Sequence, residues 1–440
     1  MVSRIHGAVA TRLSFTLAIC LMLAATGAAP RHGARAPITL TVAGCWTANT
    51  EQDAAFTRVA TGFNKVQSAI RVKVIEINDA AKVLTQVSAG NPPDIYYDCA
   101  TSELGQWAAN GYVLNLDPYI RAQHFDLDKL TPSARAIGTF KGHIYALPLL
   151  EDTFMLVYNK KLFRQAGLDP NKPPTTAEQL AAYADKLTKR RPDGTITQLG
   201  FNPVFAAGNF VGTWLPVFMT TFGGSLVSAD GTRITANCPA CVAALTWETG
   251  FYTKYGAANV DKFLSITGPA DLFISGKLAM AIEGEWTPFF VARQAPKGFE
   301  YGVAPLPHPA NRPDLANYGM AGGNPGTIMK GCKHPAAAFA FMSYIESLEP
   351  TIAFANAIDN VPQLRAAVNS PKLNHDPVFR TFVRYAQGPG IKVFPITPVS
   401  ADYADSLTTI EQLVLHGKMT PKQGLDKVTS DLQAKLSGGI

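Results

Sequence analysis

Apolar positions recur along this chain at two alternating periods, and the alternation lays out its elements. "ITLTVAGCW" (38–46) reads as a strand. "EQDAAFTRVATGFNKVQ" (51–67) sets Phe56, Val59, Ala60 and Phe63 at helical spacing behind the capping-box-like Thr50-x-x-Asp53, and "IRVKVIEI" (70–77) returns to strand. A strand, helix and strand in this order predict a parallel sheet with a right-handed crossover. The pattern continues with a helix over "AAKVLTQVSAG", a strand "DIYYDCA", and a helix over "SELGQWAANG" that stops at Gly111. "GHIYALPLLEDTFMLVYNKKLFRQAG" (142–167) predicts two strands interrupted around Glu151-Asp152, where alternation breaks and a hinge is expected.

Farther on, "TTAEQLAAYADKLTK" predicts an amphipathic helix capped by Thr175 or Thr176 after Pro173-Pro174. "DLFISGKLAMAIEGEWTPFFV" predicts a helix, a short strand and a polar turn bearing Trp286. "YGVAPLPHP" carries too many prolines for a central strand and is expected to be a connector. "KHPAAAFAFMSYIES" predicts a helix from Pro335. The last helix, "TPKQGLDKVTSDLQAKL", starts at the cap Thr420 and sets Leu425, Val428, Leu432 and Leu436 along one face.

The N-terminal 36 residues break this rhythm. Arg4 and Arg12 precede the apolar run "LSFTLAICLMLAA" and the small residues "TGAAP", the layout of a secretory signal. The run is too short to span a bilayer, which takes roughly 20 residues, so export is expected, with cleavage near Ala28 or Ala29. Val42-Ala43-Gly44-Cys45 spells a lipobox, but segment 24–44, with Arg31, His32 and Arg35, separates it from the apolar run. "LAIC" at Cys20 is the other candidate for lipidation. Without residues 1–36, Lys+Arg falls from 39 to 35 against 33 Asp+Glu. The basic balance therefore belongs largely to the signal and gives no argument for nucleic acid. The remaining length, in a chain 47% apolar, is more than one core usually holds, so two domains are expected.

Of six cysteines, five lie outside the signal. Cys45 and Cys99 end neighbouring predicted strands and could pair in an oxidising compartment. Cys238 and Cys241, in "NCPACVAAL", could close a tight ring at a helix start or act as a redox pair. Cys332 reads as a buried or free thiol. The spacing suits no zinc site, and no metal or cofactor is expected.

Eight fragments stand in order: "AFTRVATGFNK", "SAGNPPDIYYDCATSELGQWAANGYVLNLDPYI", "FKGHIYALPLLEDTFMLVYNKKLF", "TTFGGSL", "FISGKLAMAIEGEW", "YGVAPLPHP", "GMAGGNPGTIMKGCKHPAAAFAFMSYI" and "PVSADYADSLTTIEQLVLHGKMTPKQGLDKV". Together they resemble the extracellular solute-binding proteins of ABC importers, in the sugar-binding group that includes maltose-binding protein. The resemblance implies an α/β, type II periplasmic-binding-protein fold: two α/β lobes around a hinged ligand cleft. It places lobe one at 38–150 plus 303–350 and lobe two at 154–300 plus 355–440, with hinge crossings near 150–154, 300–303 and 350–355. It also makes "ITLTVAGCW" the first strand of lobe one, so Cys45 is structural. The implied partners are a carbohydrate and the transmembrane subunits of an ABC permease. The chain itself would be a monomer that meets the membrane only through that partner or an N-terminal anchor.

A sugar needs aromatic planes for its C–H faces and carboxylates or amides for its hydroxyl edge. Trp286 matches the family's tryptophan after the "AM" strand, and Tyr403 falls where maltose-binding protein carries a second stacking aromatic. The plainer readings are a core tryptophan and a partly exposed helix tyrosine. Trp214 departs by two residues from the family's spacing, and Trp46 could equally cap a core. Asp152 has the spacing of the family's hinge carboxylate. Asp98 takes a strand-end position, with Thr101 and Ser102 beside it. Glu51 opens a helix, where a negative charge favours the dipole regardless of ligand. Glu285 and Glu283 flank Gly284, and only alternate residues of that turn can face a cleft. Gly322 and Gly323 would admit backbone N–H groups to a ligand, with Asn324 as a donor. Asp359 and Asn360 are cleft candidates or turn formers.

Glu51, Asp98, Asp152, Glu285, Asp359 and Asp402 include no Arg or Lys among them, which predicts a ligand carrying an amine, such as an amino sugar, and argues against a phosphate. One rival is a glycoside hydrolase using Asp98 and Asp152, whose carboxyls would stand roughly 5 to 9 Å apart; others are a receptor for a polyol or glycerophosphodiester, and an iron receptor built on Tyr96-Tyr97. Adjacent strand residues point to opposite faces, which counts against the last.

Overall fold

In the computed structural model the described residues are 36–48, 50–204, 213–265 and 269–438. The signal, Cys20 and the expected cleavage sites lie outside them. The strands are β1 (Ile38–Gly44), β2 (Ile70–Val74), β3 (Ile95–Tyr97), β4 (Thr139–Phe140), β5 (His143–Ile144), β6 (Ala146–Asn159), β7 (Lys189–Arg190), β8 (Ile196–Phe201), β9 (Leu278–Gly284), β10 (Tyr301–Ala304), β11 (Gly319–Ile328) and β12 (Ile391–Val393). One sheet runs β2-β1-β3-β11-β6-β9-β8-β7, with β10 also on β6 and β12 also on β11.

The opening unit forms as its pattern predicts. β1 pairs in parallel with β2 and β3. The intervening helix, Glu51–Val66, is capped by the Thr50 hydroxyl, which accepts from Asp53 N at 3.2 Å, and it buries Phe56, Val59, Ala60 and Phe63. Two large cores result. The first gathers Leu40, Phe56, Ile95, Leu147, Ile328 and Phe341. The second gathers Phe154, Leu199, Phe218, Met280, Leu407 and Leu425.

β6 and β11 belong to both cores. β6 gives Leu147, Leu149 and Leu150 to the first and Phe154 to Tyr158 to the second; β11 gives Ile328 to the first and Met320 to the second. They pair antiparallel, with Gly322 opposite Asp152 and Gly323 opposite Glu151, and the register shifts between Gly323 and Pro325. Instead of the two interrupted strands expected here, β6 is a single strand of 14 residues, all buried. Glu151 is tied into the strand on both sides: Glu151 N donates to Val361 O at 3.0 Å, and the Thr131 hydroxyl donates to Glu151 Oε1, while Oε2 is buried without a partner.

Two further expectations change. The start of "YGVAPLPHP" is strand β10, antiparallel to β6, because its prolines begin only after Ala304. The passage expected near 350–355 comes later. Ile352, Phe354, Ile358 and Leu364 still pack in the first core, held by the helix Leu348–Ile358, and the chain joins the second core from Phe382. Disulfides join Cys45 to Cys99 and Cys238 to Cys241, the latter at the start of the helix Pro239–Tyr255.

Candidate functional site

The middle of β6, where it passes between cores, collects the acids. Gly323 is required there, since a Cβ would overlap the Leu150 carbonyl. Asp152 is 8% exposed and Glu285, just past β9, is wholly buried. Glu285 Oε2 accepts from Thr153 N at 2.9 Å and Oε1 accepts from Asn360 Nδ2 at 2.6 Å, so one side chain ties β9, β6 and the loop after the helix Leu348–Ile358. Asp152 directly precedes Thr153, the residue whose N–H Glu285 accepts from. Burial pushes Asp152 up to about 7, while burial and then the Asp152 charge raise Glu285 well above the usual carboxylate range. Glu151, on the same strand, is pushed up to about 8 by burial.

After β3 the chain turns at Asp98, whose Oδ1 accepts from Cys99 N at 2.7 Å. Asn324 Nδ2 donates to the Asp98 carbonyl at 2.8 Å, which fixes this turn to β11. Asp98 Oδ2 and the Thr101 hydroxyl are buried without a hydrogen-bond partner. Burial, then the nearby Glu103, pushes Asp98 up to about 7. Glu103 in turn is raised by burial and by Asp405 and Asp402 across from it.

Trp286 follows β9, its ring folded over Gly284, where a Cβ would overlap the indole. It stands edge-on to Phe154 at 6.1 Å, and Phe154 packs on Trp214 at 4.7 Å. Beside Trp286 opens a cavity of about 240 Å³ lined by Phe273, Ile274, Glu283, Thr287, Phe290 and Val291. Burial pushes Glu283 up to about 7, against the hydrogen bond it makes with Trp286. A hollow of about 310 Å³ lies elsewhere, between the helix Glu51–Val66 and β2, and holds none of these acids.

The structure thus brings together Asp152, Glu285, Asn360, Gly322 and Gly323, and sets Asp98, Thr101 and Asn324 at the β3 end of the same sheet. Other candidates fall elsewhere. Tyr403 is wholly buried, its hydroxyl donating to Leu226 O at 2.7 Å, so it belongs to the second core and offers no ring face to a ligand. Trp46 is 6% exposed and packs on Phe56 at 4.7 Å. Glu51 is an exposed first-turn acid. Asp359 ends its helix at φ 54°, a left-handed turn, and accepts from Asn374 at 2.7 Å. Asp402 pairs with Lys435 at 2.7 Å, so this acid has a cation the sequence argument did not see.

Sequence reasoning passed over Glu151 as a site residue, although an acid beside Asp152 in an otherwise apolar run was visible. It also passed over Glu248 and Glu411, two carboxyls buried in the second core, with both Glu248 oxygens and Glu411 Oε2 lacking a hydrogen-bond partner. Glu248 shares a helical face with Leu245 and Tyr252, which was the available signal.

The family described as bacterial extracellular solute-binding protein matches residues 47–350. A maltotriose-binding protein of Pyrococcus abyssi is 24% identical over 320 residues, 71% of this chain and 63% of its own length. The maltodextrin-binding protein MdxE of Bacillus subtilis is 24% identical over 326 residues, 70% of each chain. The solved structure "CpMnBP1 with Mannotriose Bound" is 31% identical with a TM-score of 0.79, covering 90% of this chain and 99% of that one.

Proposed function

The chain belongs to the bacterial extracellular solute-binding proteins, which are binding proteins and not enzymes, and on that premise we propose that it captures a carbohydrate between two lobes for an ABC importer. One observation carries the reading: β6 and β11 pass through both cores, and their shared midpoint is where Asp152, Glu285 and the glycine pair converge. Carboxylates at such a point accept from sugar hydroxyls, and Trp286, half-buried beside a cavity, supplies a stacking face. Ligand touching both lobes favours their closed arrangement, and a permease reads that shape. Relatives named for maltotriose and maltodextrin, and a neighbour solved with mannotriose, support a short oligosaccharide. The finer reading, a sugar bearing an amine, draws on Asp98, Glu103, Asp152 and Glu285.

Calorimetry with maltotriose, mannotriose and matched neutral and 2-amino mono- and disaccharides tests both levels. Micromolar or tighter binding of any of them, lost in Asp152→Ala, is the expected result. Binding restricted to neutral members would remove the amine and keep the carbohydrate. Silence across the panel, with glycerophosphodiesters bound instead, would overturn the carbohydrate reading.

A further inference from the structure

Cys238-Pro239-Ala240-Cys241 has a spacing that suits either a staple or a redox centre, and the fold treats its two sulfurs unequally. Cys238 caps the 17-residue helix Pro239–Tyr255 and is half-buried, whereas Cys241, in the first turn, is wholly buried. Pro239 takes the first helical position, where a missing N–H costs nothing, and it is exposed. Cys238 Sγ accepts from Cys241 N at 3.0 Å, one of the amides that a helix start leaves without a carbonyl partner. A helix N-terminus that donates to a sulfur favours the thiolate of that cysteine once the disulfide is opened.

The surroundings suit the open form as well as the closed one. Thr235 O and Ser225 O lie 3.7 and 3.9 Å from Cys241 Sγ, placed to accept its S–H after reduction. Gly224 lies against both sulfurs: a Cβ there would stand 2.7 Å from Cys241 Sγ and 3.1 Å from Cys238 Sγ, so this side of the bond is covered by a turn without a side chain. Gly223 and Ser225, which flank it, are exposed. Asp426 on the last helix accepts from Asn237 Nδ2 at 2.8 Å, next to the cap, but it is paired with Lys422 at 2.6 Å, so its charge is offset. Opening the bond also frees little of the unfolded chain, since it closes a sequence separation of 3 where Cys45–Cys99 closes 54.

We propose that Cys238–Cys241 is an exchange-active disulfide that takes two electrons from a dithiol, with Cys238 as the attacked sulfur and Cys241 as the leaving one. A thiolate of the dithiol attacks Cys238 Sγ, the Cys238–Cys241 bond breaks, and Cys241 Sγ leaves and takes up a proton. The second thiolate of the dithiol then attacks the sulfur bonded to Cys238, closes the partner's own disulfide and releases Cys238 as a thiolate at the helix N-terminus. Of the two protons the dithiol gives up, one ends on Cys241 and the other in solvent. No further oxidant is consumed. The activity does not depend on the carbohydrate reading, and Cys45–Cys99 serves as a control within the same chain.

The full chain, equilibrated in glutathione buffers of rising reduced-to-oxidised ratio, is alkylated and mapped by peptide mass. Cys238–Cys241 should open at a ratio at least tenfold less reducing than Cys45–Cys99 requires. Both disulfides staying closed, or both opening together, overturns the proposal. In Cys241→Ser the Cys238 thiol is left free, and its alkylation by iodoacetamide, read on its own peptide, should titrate at least one pH unit below the value of about 8.5 for an ordinary cysteine. An unshifted titration overturns the assignment of Cys238 as the attacked sulfur. Mixing the oxidised wild type with dithiothreitol should consume one equivalent of dithiol per chain in a fast phase that the double variant Cys238→Ser, Cys241→Ser lacks. A single slow phase in the wild type overturns exchange activity, and the wild-type measurements decide the matter whether or not the serine variants fold.

Discussion

Two strands of this protein end in the same three-residue device and use it differently. β1 ends in Gly44-Cys45-Trp46 and β9 in Gly284-Glu285-Trp286, and in each the indole folds back over the glycine, whose missing Cβ leaves the space. The middle residue sets the two apart. Cys45 is bonded covalently to Cys99 just past β3, and Trp46, 6% exposed, packs on Phe56 and Tyr97. Glu285 is held by hydrogen bonds from Thr153 and Asn360, and Trp286 remains half-buried beside a cavity. The same backbone turn is stapled in one core and left adjustable in the other. A tryptophan becomes available to a ligand when its neighbour is not locked.

Truncating the two rings should break the comparison most sharply. Trp46→Ala should cost about 4 kcal/mol of stability, the usual range for a buried aromatic, with ligand affinity little changed in the folded fraction. Trp286→Ala should cost far less stability and weaken sugar binding at least tenfold. Denaturant unfolding and calorimetry on both variants read the crossing of effects; equal stability losses would erase the distinction.

The disulfides sharpen it next. Cys45–Cys99 spans a sequence separation of 54, for which chain entropy gives about 4 kcal/mol, whereas Cys238–Cys241 spans 3 and gives about 2 kcal/mol. Paired serine substitutions followed by denaturant titration should rank in that order.

Filling the glycines comes third. Gly44→Ala should destabilise by about 1–3 kcal/mol, since the added Cβ overlaps the Trp46 ring and Trp46 must leave its packing on Phe56 and Tyr97. Gly284→Ala should instead displace Trp286 toward the cavity, with a smaller loss of stability and a shifted tryptophan fluorescence.

The most gradual effect is in pH. Asp98, Asp152 and Glu283 are raised to about 7 and Glu151 to about 8, so each binds more protons folded than unfolded between the ordinary carboxylate range and neutrality. Stability is therefore fullest at low pH within this window and falls as pH rises through the folded values, by up to about 1.4 kcal/mol per unit for each group. Melting curves from about pH 5 to 8 should show the decline, and Glu151→Gln should make it shallower.

What the sequence made legible follows from which force acts locally. Helix Glu51–Val66 was readable because its cap and its apolar stripe are encoded within one segment. The unbroken course of β6 was not, because Glu151 and Thr153 find partners far from them in the sequence: Thr131, Val361 and Glu285. Asp152, Asn360 and the glycine pair, singled out by resemblance and by nearness to an expected hinge crossing, lie together around β6 and β11. Tyr403 was singled out by resemblance to a stacking position, and only its packing on Leu226 and Phe394 shows that its ring is sealed. Asp402 looked unpaired for the same reason; its lysine is 33 residues away.

β6 has a mechanical consequence beyond the ligand. A single buried strand, laddered to β11 up to Thr153 and to β9 from Phe154, leaves no slack joint between the halves. Bending must be shared as a small change of twist along the ladder, concentrated at the register shift beside Gly323. Neither half can then lose its sheet without stripping partners from the other. Two cores in this chain are one cooperative unit, and they should melt in a single calorimetric transition.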